Sequence, residues 1–133
     1  MINKIEIIEL EKHEDKRGIL LKILKNSDIE NKEFGEIYFT SLHPGIIRAN
    51  HYHEKTTEWF CVLNGKGKLV LRNNETNETT QILMDNKKVV KIPINVSHAI
   101  KNTGDEEMSL LVYSDLEYNE KNPDSISIDL LKE

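Results

Sequence analysis

Apolar residues in this chain come in short runs of strand length, and almost every run is closed by Gly, Asn, Asp or Pro. No stretch carries the three-and-four spacing of an amphipathic helix of normal length. This pattern restricts the fold more than any other feature. About ten such runs are present, at residues 5–10, 19–24, 36–42, 46–53, 58–63, 66–72, 80–84, 89–92, 98–102 and 108–114. N-G-K-G at 64–67, N-N-E-T-N-E-T-T at 73–80 and T-G-D at 103–105 supply turns between them. Residues 26–35 are polar and suit a single helical turn, and I-S-I-D-L-L at 126–131 suits a further strand or a short helix. Parallel sheets need crossover helices, which this pattern lacks. The expectation is therefore an all-β antiparallel sandwich or small barrel.

The 133 residues amount to one domain, expected to run over 1–133. The net charge of -5, with no cluster of Lys and Arg, argues against a nucleic-acid surface but leaves room for a local site for one small anion. No run is long enough to span a bilayer, so no membrane partner is expected. The lone cysteine, Cys61, has no intrachain disulfide partner, which favours a reducing compartment. The opening M-I-N-K-I-E-I-I-E-L mixes acids among its apolar residues and lacks a signal-peptide core, so a cytoplasmic location is expected.

Chemistry concentrates between residues 45 and 102. His51 and His53 are two apart, a spacing that puts both on one face of a strand. Four residues then turn the chain and Glu58 opens the next strand, where a hairpin neighbour can sit beside the imidazoles. His98 follows a Pro-x-Asn turn in K-I-P-I-N-V-S-H-A-I-K-N. Three neutral imidazoles and a carboxylate suit one divalent ion. Zinc is favoured, and iron, manganese, nickel and cobalt are compatible.

The stretch G-I-I-R-A-N-H-Y-H-E-K-T-T-E-W-F-C-V-L-N-G resembles the first cupin motif at every fixed position: Gly45, His51, His53, Glu58 and Gly65. The second motif is met by Pro93, His98 and Asn102. Asn95 replaces its second glycine, which Asn's tolerance of left-handed φ makes mild, and Lys87 stands where its first glycine would be. The resemblance implies a cupin double-stranded β-helix, a jelly-roll barrel. Residues 35–124 look like the C-terminal cupin domain of capsular-polysaccharide enzymes that epimerise UDP-4-keto sugars, a likeness that includes N-P-D-S at 122–125. The chain is also similar to sugar-nucleotide 3,4-ketoisomerases and dTDP-4-dehydrorhamnose 3,5-epimerases, through D-K-R-G-I-L near residue 15 and R-A-N-H at 48–51. Ketoisomerases generally lack a complete metal shell, so Glu58 tilts the likeness toward the capsular type.

These resemblances imply an isomerase for a nucleotide-linked 4-keto sugar in surface-polysaccharide synthesis. Such chemistry removes a proton beside a carbonyl, and a divalent ion can polarise that carbonyl and hold the developing oxyanion. Tyr38 and Tyr113, on strands expected to line the barrel, are the candidate acid–base groups, although each also suits ordinary strand packing. Arg48, the Arg of R-x-x-H, matches a residue that in the resembling enzymes contacts substrate phosphate, and Arg17 in D-K-R-G is a second candidate. His13 and His43 read as surface residues, and Trp59 and Cys61 as packing on the strand face opposite Glu58. A homodimer is expected from the resemblance, with the strand at 5–10 available to a partner's sheet, and a separate reductase or dehydratase is a further expected partner. A metal cupin of another kind (dioxygenase or different sugar isomerase) and a non-catalytic sugar-binding cupin are the alternatives.

Overall fold

Alternating side chains along successive strands build two packed antiparallel sheets in this computed structural model, which describes residues 4–30 and 33–132. The strands are β1 (Glu6–Glu9), β2 (Lys12–Asp15), β3 (Gly18–Leu21), β4 (Glu36–Leu42), β5 (Ile47–Tyr52), β6 (Glu58–Asn64), β7 (Gly67–Asn73), β8 (Thr79–Met84), β9 (Lys88–Ile92), β10 (Val96–Asn102), β11 (Met108–Ser114) and β12 (Ile126–Ser127). One five-stranded sheet has the order β1-β9-β6-β11-β4 and the other β12-β5-β10-β7-β8, while among the described residues β2 and β3 pair with each other alone. The fold is the expected all-β jelly roll.

The central strand β6 shows how the sequence makes the layers. Glu58, Trp59, Phe60, Cys61 and Val62 are all buried, so both its faces are covered. Phe60 and Val62 point between the sheets, where they join Leu69, Leu71, Ile92, Ile100, Met108 and Val112. Trp59 and Cys61 point to the outer face with Val89 and Tyr113, under Ile8, Leu10, Ile23, Leu24 and Ile29. The N-terminal segment thus lies over one sheet and gives Trp59 and Cys61 the packing role expected of them.

Most expected strand bounds agree with the structure to within a residue or two. The strand at 36–42 and that at 108–114 agree at both ends. The polar stretch after residue 25 gives a single 3-10 turn at Asn26–Asp28, and Asn31 and Lys32 lie outside the described residues. Asn95 adopts φ +61°, the left-handed conformation expected of it. Lys12–Asp15 was not expected as a strand because K-H-E-D has no apolar face, and it pairs as the outer half of an exposed hairpin. The segment at 5–10, expected to be available to a partner's sheet, pairs through β1 with β9 of its own chain. Among the described residues, no helix is long and apolar enough to cross a membrane.

Candidate metal centre

His51, His53, Glu58 and His98 converge at one end of the barrel, with one ligand-type atom from each lying within 4.8 Å of the others. Three neighbouring pieces of chain bring them together. His51 ends its pairing on β5 directly opposite His98 on β10. His53 follows β5, and Glu58 begins β6. The ring centroids stand 4.7 Å apart for His51 and His53, 4.8 Å for His51 and His98, and 5.4 Å for His53 and His98.

A bulge aims His51. Ala49 pairs with Ala99 while His51 pairs with His98, so β5 carries one residue more than β10 across this step. Ala49 and Asn50 take φ of +75° and +55° there, left-handed values that are uncommon for Ala and better tolerated by Asn. The Asn50 side chain ties the bulge to the C-terminal segment. Its amide donates to the Leu131 carbonyl (2.9 Å), and its Oδ1 accepts from the amides of Leu130 (3.1 Å) and Leu131 (3.0 Å).

Two of the rings have their tautomer set by a carbonyl, which can only accept. His98 Nδ1 donates to Val96 O at 3.0 Å, and His53 Nδ1 donates to the main-chain carbonyl of Asp124. Each Nε2 is then a lone-pair donor facing Glu58. His53 Nε2 lies 3.1 Å and His98 Nε2 3.4 Å from Glu58 Oε1. The His98 contact falls outside hydrogen-bond geometry, so its ring nitrogen, on a residue with no exposed surface, has no hydrogen-bond partner among the described residues. The other carboxylate oxygen, Glu58 Oε2, accepts from Ser114 Oγ at 2.8 Å and stands 3.5 Å from the Tyr38 hydroxyl.

Without a metal, electrostatics favours the ligand forms of His51 and Glu58 and works against that of His53. Burial, with His98 and His53 as neighbours, lowers the His51 pKa to about 4, so this ring is neutral at pH 7. Burial works against the Glu58 charge, but the His53 and His98 imidazoles outweigh it and hold the carboxyl well below the usual range. Burial likewise opposes a charged His53, yet Glu58 and Asp124 raise its pKa on balance. A cation among three rings and a carboxylate satisfies all of these groups at once. Atoms ligating one ion at about 2.1 Å stand roughly 3–4 Å apart, so the quartet is close to the size one ion closes. The orphaned His98 nitrogen is the observation that a metal fits best.

The quartet opens into a cavity of about 480 Å³ whose walls include Glu36, Tyr38, Ser114, Leu116 and Tyr118. A second cavity of about 290 Å³, lined by Arg48, shares Tyr38 and His51 with the first. Arg48 Nε donates to the Ser41 carbonyl at 3.0 Å, and the side chain is exposed. Tyr38 therefore faces the site, and burial, with Glu58 and Glu36 nearby, raises its phenol well above the ordinary value. Tyr113 does not face it. Strand pairing sets Tyr113 opposite Trp59 and Ser114 opposite Glu58, so the tyrosine points outward and accepts from the Gly35 amide at 3.2 Å. The choice of Tyr113 as a site residue mistook the parity of β11; Ser114 is the residue that reaches Glu58. Arg17 is also not brought to the site. It sits in the β2–β3 turn, paired with Asp15 at 2.6 Å. His13 and His43 are exposed, as expected, beside Glu11 and Glu107.

Sequence reasoning missed Asp124, Thr56 and Ser114. Ser114 follows from the register of β11 on β6, which the apolar run of that strand does not reveal. Asp124 carried a signal in N-P-D-S, but its contacts with the 54–56 turn are long-range and leave no local trace.

This fold and its His/Glu group define the class as cupin-type. A crystal structure of a dTDP sugar isomerase from Desulfovibrio desulfuricans superposes with a TM-score of 0.84 at 23% identity, over 95% of this chain and 84% of that one. The sugar 3,4-ketoisomerase QdtA from Thermoanaerobacterium thermosaccharolyticum, in complex with TDP, gives 0.78 at 25% identity, over 95% and 89%. The capsular polysaccharide assembling protein CapF from Staphylococcus aureus gives 0.69 at 26%, over 90% of this chain but 34% of that one. In sequence, the chain is 27% identical to the spore coat polysaccharide biosynthesis protein SpsL of Bacillus subtilis, over 93% of this chain and 87% of the relative. It is 30% identical to a UDP-2-acetamido-2,6-beta-L-arabino-hexul-4-ose reductase of Pseudomonas aeruginosa, over 85% of this chain but 30% of that protein. Residues 13–126 match the polysaccharide biosynthesis C-terminal domain, and the chain belongs to that family.

Proposed function

We propose that this chain is a metal-dependent epimerase or ketoisomerase for a nucleotide-linked 4-keto sugar in surface-polysaccharide biosynthesis. The observation that carries the reading is the convergence of His51, His53, Glu58 and His98, with a buried His98 nitrogen left without a hydrogen bond, at the edge of a sugar-sized cavity. A bound divalent ion, zinc being favoured, supplies a Lewis acid for a carbonyl oxygen beside the carbon that loses its proton.

The chain's own residues do the rest. Tyr38, its phenol held protonated by burial and nearby carboxylates, serves as the acid that gives a proton back to the sugar, and the carbon-bound proton passes to a carboxylate of the cavity wall such as Glu36. Arg48 spends its Nε on Ser41, which leaves the outer edge of the guanidinium for the paired oxygens of a diphosphate. The main cavity is acidic, with Glu36, Glu54 and Glu117 in its wall and Lys55 as its cation, so the diphosphate runs toward Arg48 and the sugar toward the quartet. A homodimer is supported by the apolar, exposed outer face of β4, where Ile37 is 57% and Phe39 60% exposed. The P. aeruginosa relative, of which this chain covers 30%, is named a reductase, and a reductase or dehydratase acting on the same substrate class is a proposed partner.

The test is incubation of metal-loaded protein with nucleotide 4-keto sugars in deuterated water. Deuterium gained at the carbon beside the carbonyl, and lost with Tyr38→Phe, is the expected result. No exchange with any such sugar overturns the isomerase reading, and oxygen consumption in its place marks a dioxygenase.

A further inference from the structure

The turn joining His53 to Glu58 is held by two side chains distant in sequence. Asp124 Oδ1 accepts from the Glu54 amide at 2.9 Å. Its Oδ2 accepts from the amides of Lys55 (2.8 Å) and Thr56 (2.9 Å) and from Thr56 Oγ1 (2.9 Å). The next amide, that of Thr57, donates to Asp115 Oδ1 at 2.9 Å. The main-chain carbonyl of the same Asp124 receives the Nδ1 proton of His53. One residue therefore grips the turn between two candidate ligands with its carboxylate and orients one of those ligands with its backbone.

We propose that Asp124 is the positioning residue of the metal centre: its carboxylate locks the 54–56 turn, and this lock sets its carbonyl against His53 Nδ1, so that His53 presents Nε2 to the quartet. The inference rests on the metal reading given above. Four accepted bonds need an acceptor at every position, which an ionised carboxylate supplies and an amide does not. Without the lock the carbonyl loses its fixed distance from the ring, and His53 is free to carry its proton on either nitrogen. The spacing of His53 from Glu58 loosens with it. Carbonyl or carboxylate partners of ligating imidazoles act in this way in metal sites generally.

The test uses the full chain with Co(II) as probe, and two readouts that a mere turn cap would leave unmoved. The first is the His53 tautomer in metal-free protein, read by long-range proton–nitrogen correlation of the imidazoles. The second is Co(II) affinity together with the Co(II) absorption spectrum. In Asp124→Asn, His53 is expected to lose its single Nδ1-protonated signature, Co(II) affinity to fall about 10- to 100-fold, and the spectrum to change. Thr56→Val removes one of the four bonds and is expected to shift affinity in the same direction by less, with Thr56→Ser restoring it. If Asp124→Asn does not fold, the Thr56 pair decides. Affinity, spectrum and His53 signals that stay at wild-type values in the folded variants overturn the proposal. A wild-type protein that binds no Co(II) sinks the metal reading instead, and the tautomer measurement then still tests the role of Asp124.

Discussion

Three imidazoles packed ring against ring are stable together only while most of them are uncharged. His51 illustrates the consequence for pH. Its pKa falls from 6.5 to about 4 on folding because burial and the neighbouring rings disfavour the cation. Between these values the unfolded chain binds more protons than the folded one, so stability rises with pH across that window and is lost as pH drops through it. Metal-free protein is therefore expected to unfold at progressively lower urea concentration as pH is lowered from 7 toward 4, and the His51→Asn variant to show a shallower fall. Urea titrations at fixed ionic strength check this. Ser114 works at the same scale from the other side of Glu58: its hydroxyl fixes Oε2, which leaves Oε1 toward His53 and His98.

At the scale of elements, β5 is the strand on which the site depends, and it is held from both edges. β10 pairs along one side, and on the other β12 sets Ile126 opposite Tyr52 and Ser127 opposite His51. Asn50 ties the following residues to the bulge. Replacing Asn50 by Ala removes three hydrogen bonds from a half-buried position. It is expected to cost about 1–3 kcal/mol, with faster amide exchange at residues 128–131 as the local signature. Hydrogen exchange resolved by residue, alongside denaturant unfolding, measures both. The same elements show what could be read in advance. The ligand quartet was legible because two-residue spacing and a four-residue turn fix geometry locally, as His51, His53 and Glu58 demonstrate. Strand β11 was legible at both ends, yet its parity was not, since L-L-V-Y-S carries apolar residues on both faces and gives no alternation to follow. The bulge at Ala49–Asn50 and the clasp of Asp124 were hidden for another reason: each depends on chain that arrives many residues later.

Taken whole, the molecule exposes apolar side chains at several places, Leu83 at 74% and Phe34 at 72% among them, and two of these surfaces bear on assembly. The outer face of β4 carries Ile37 and Phe39, and the β2–β3 ribbon, unpaired with either main sheet, carries Ile19 at 49% and Leu20 at 54% exposure. A two-stranded ribbon is marginal by itself. These surfaces lead to the expectation of a homodimer in sedimentation analysis, shifted toward monomer by Phe39→Lys with the metal quartet undisturbed. A monomer at all concentrations would remove the dimer from the account. Everything else in the account depends on the quartet gripping one ion. The direct measurement is metal content after dialysis, taken on wild-type protein and on His98→Ala. One divalent ion per chain in the first, and a loss in the second beyond the roughly 10- to 100-fold cost of removing a ligand's hydrogen-bond partner, is the predicted result. A folded wild-type protein that retains no zinc, iron, manganese, nickel or cobalt would contradict it.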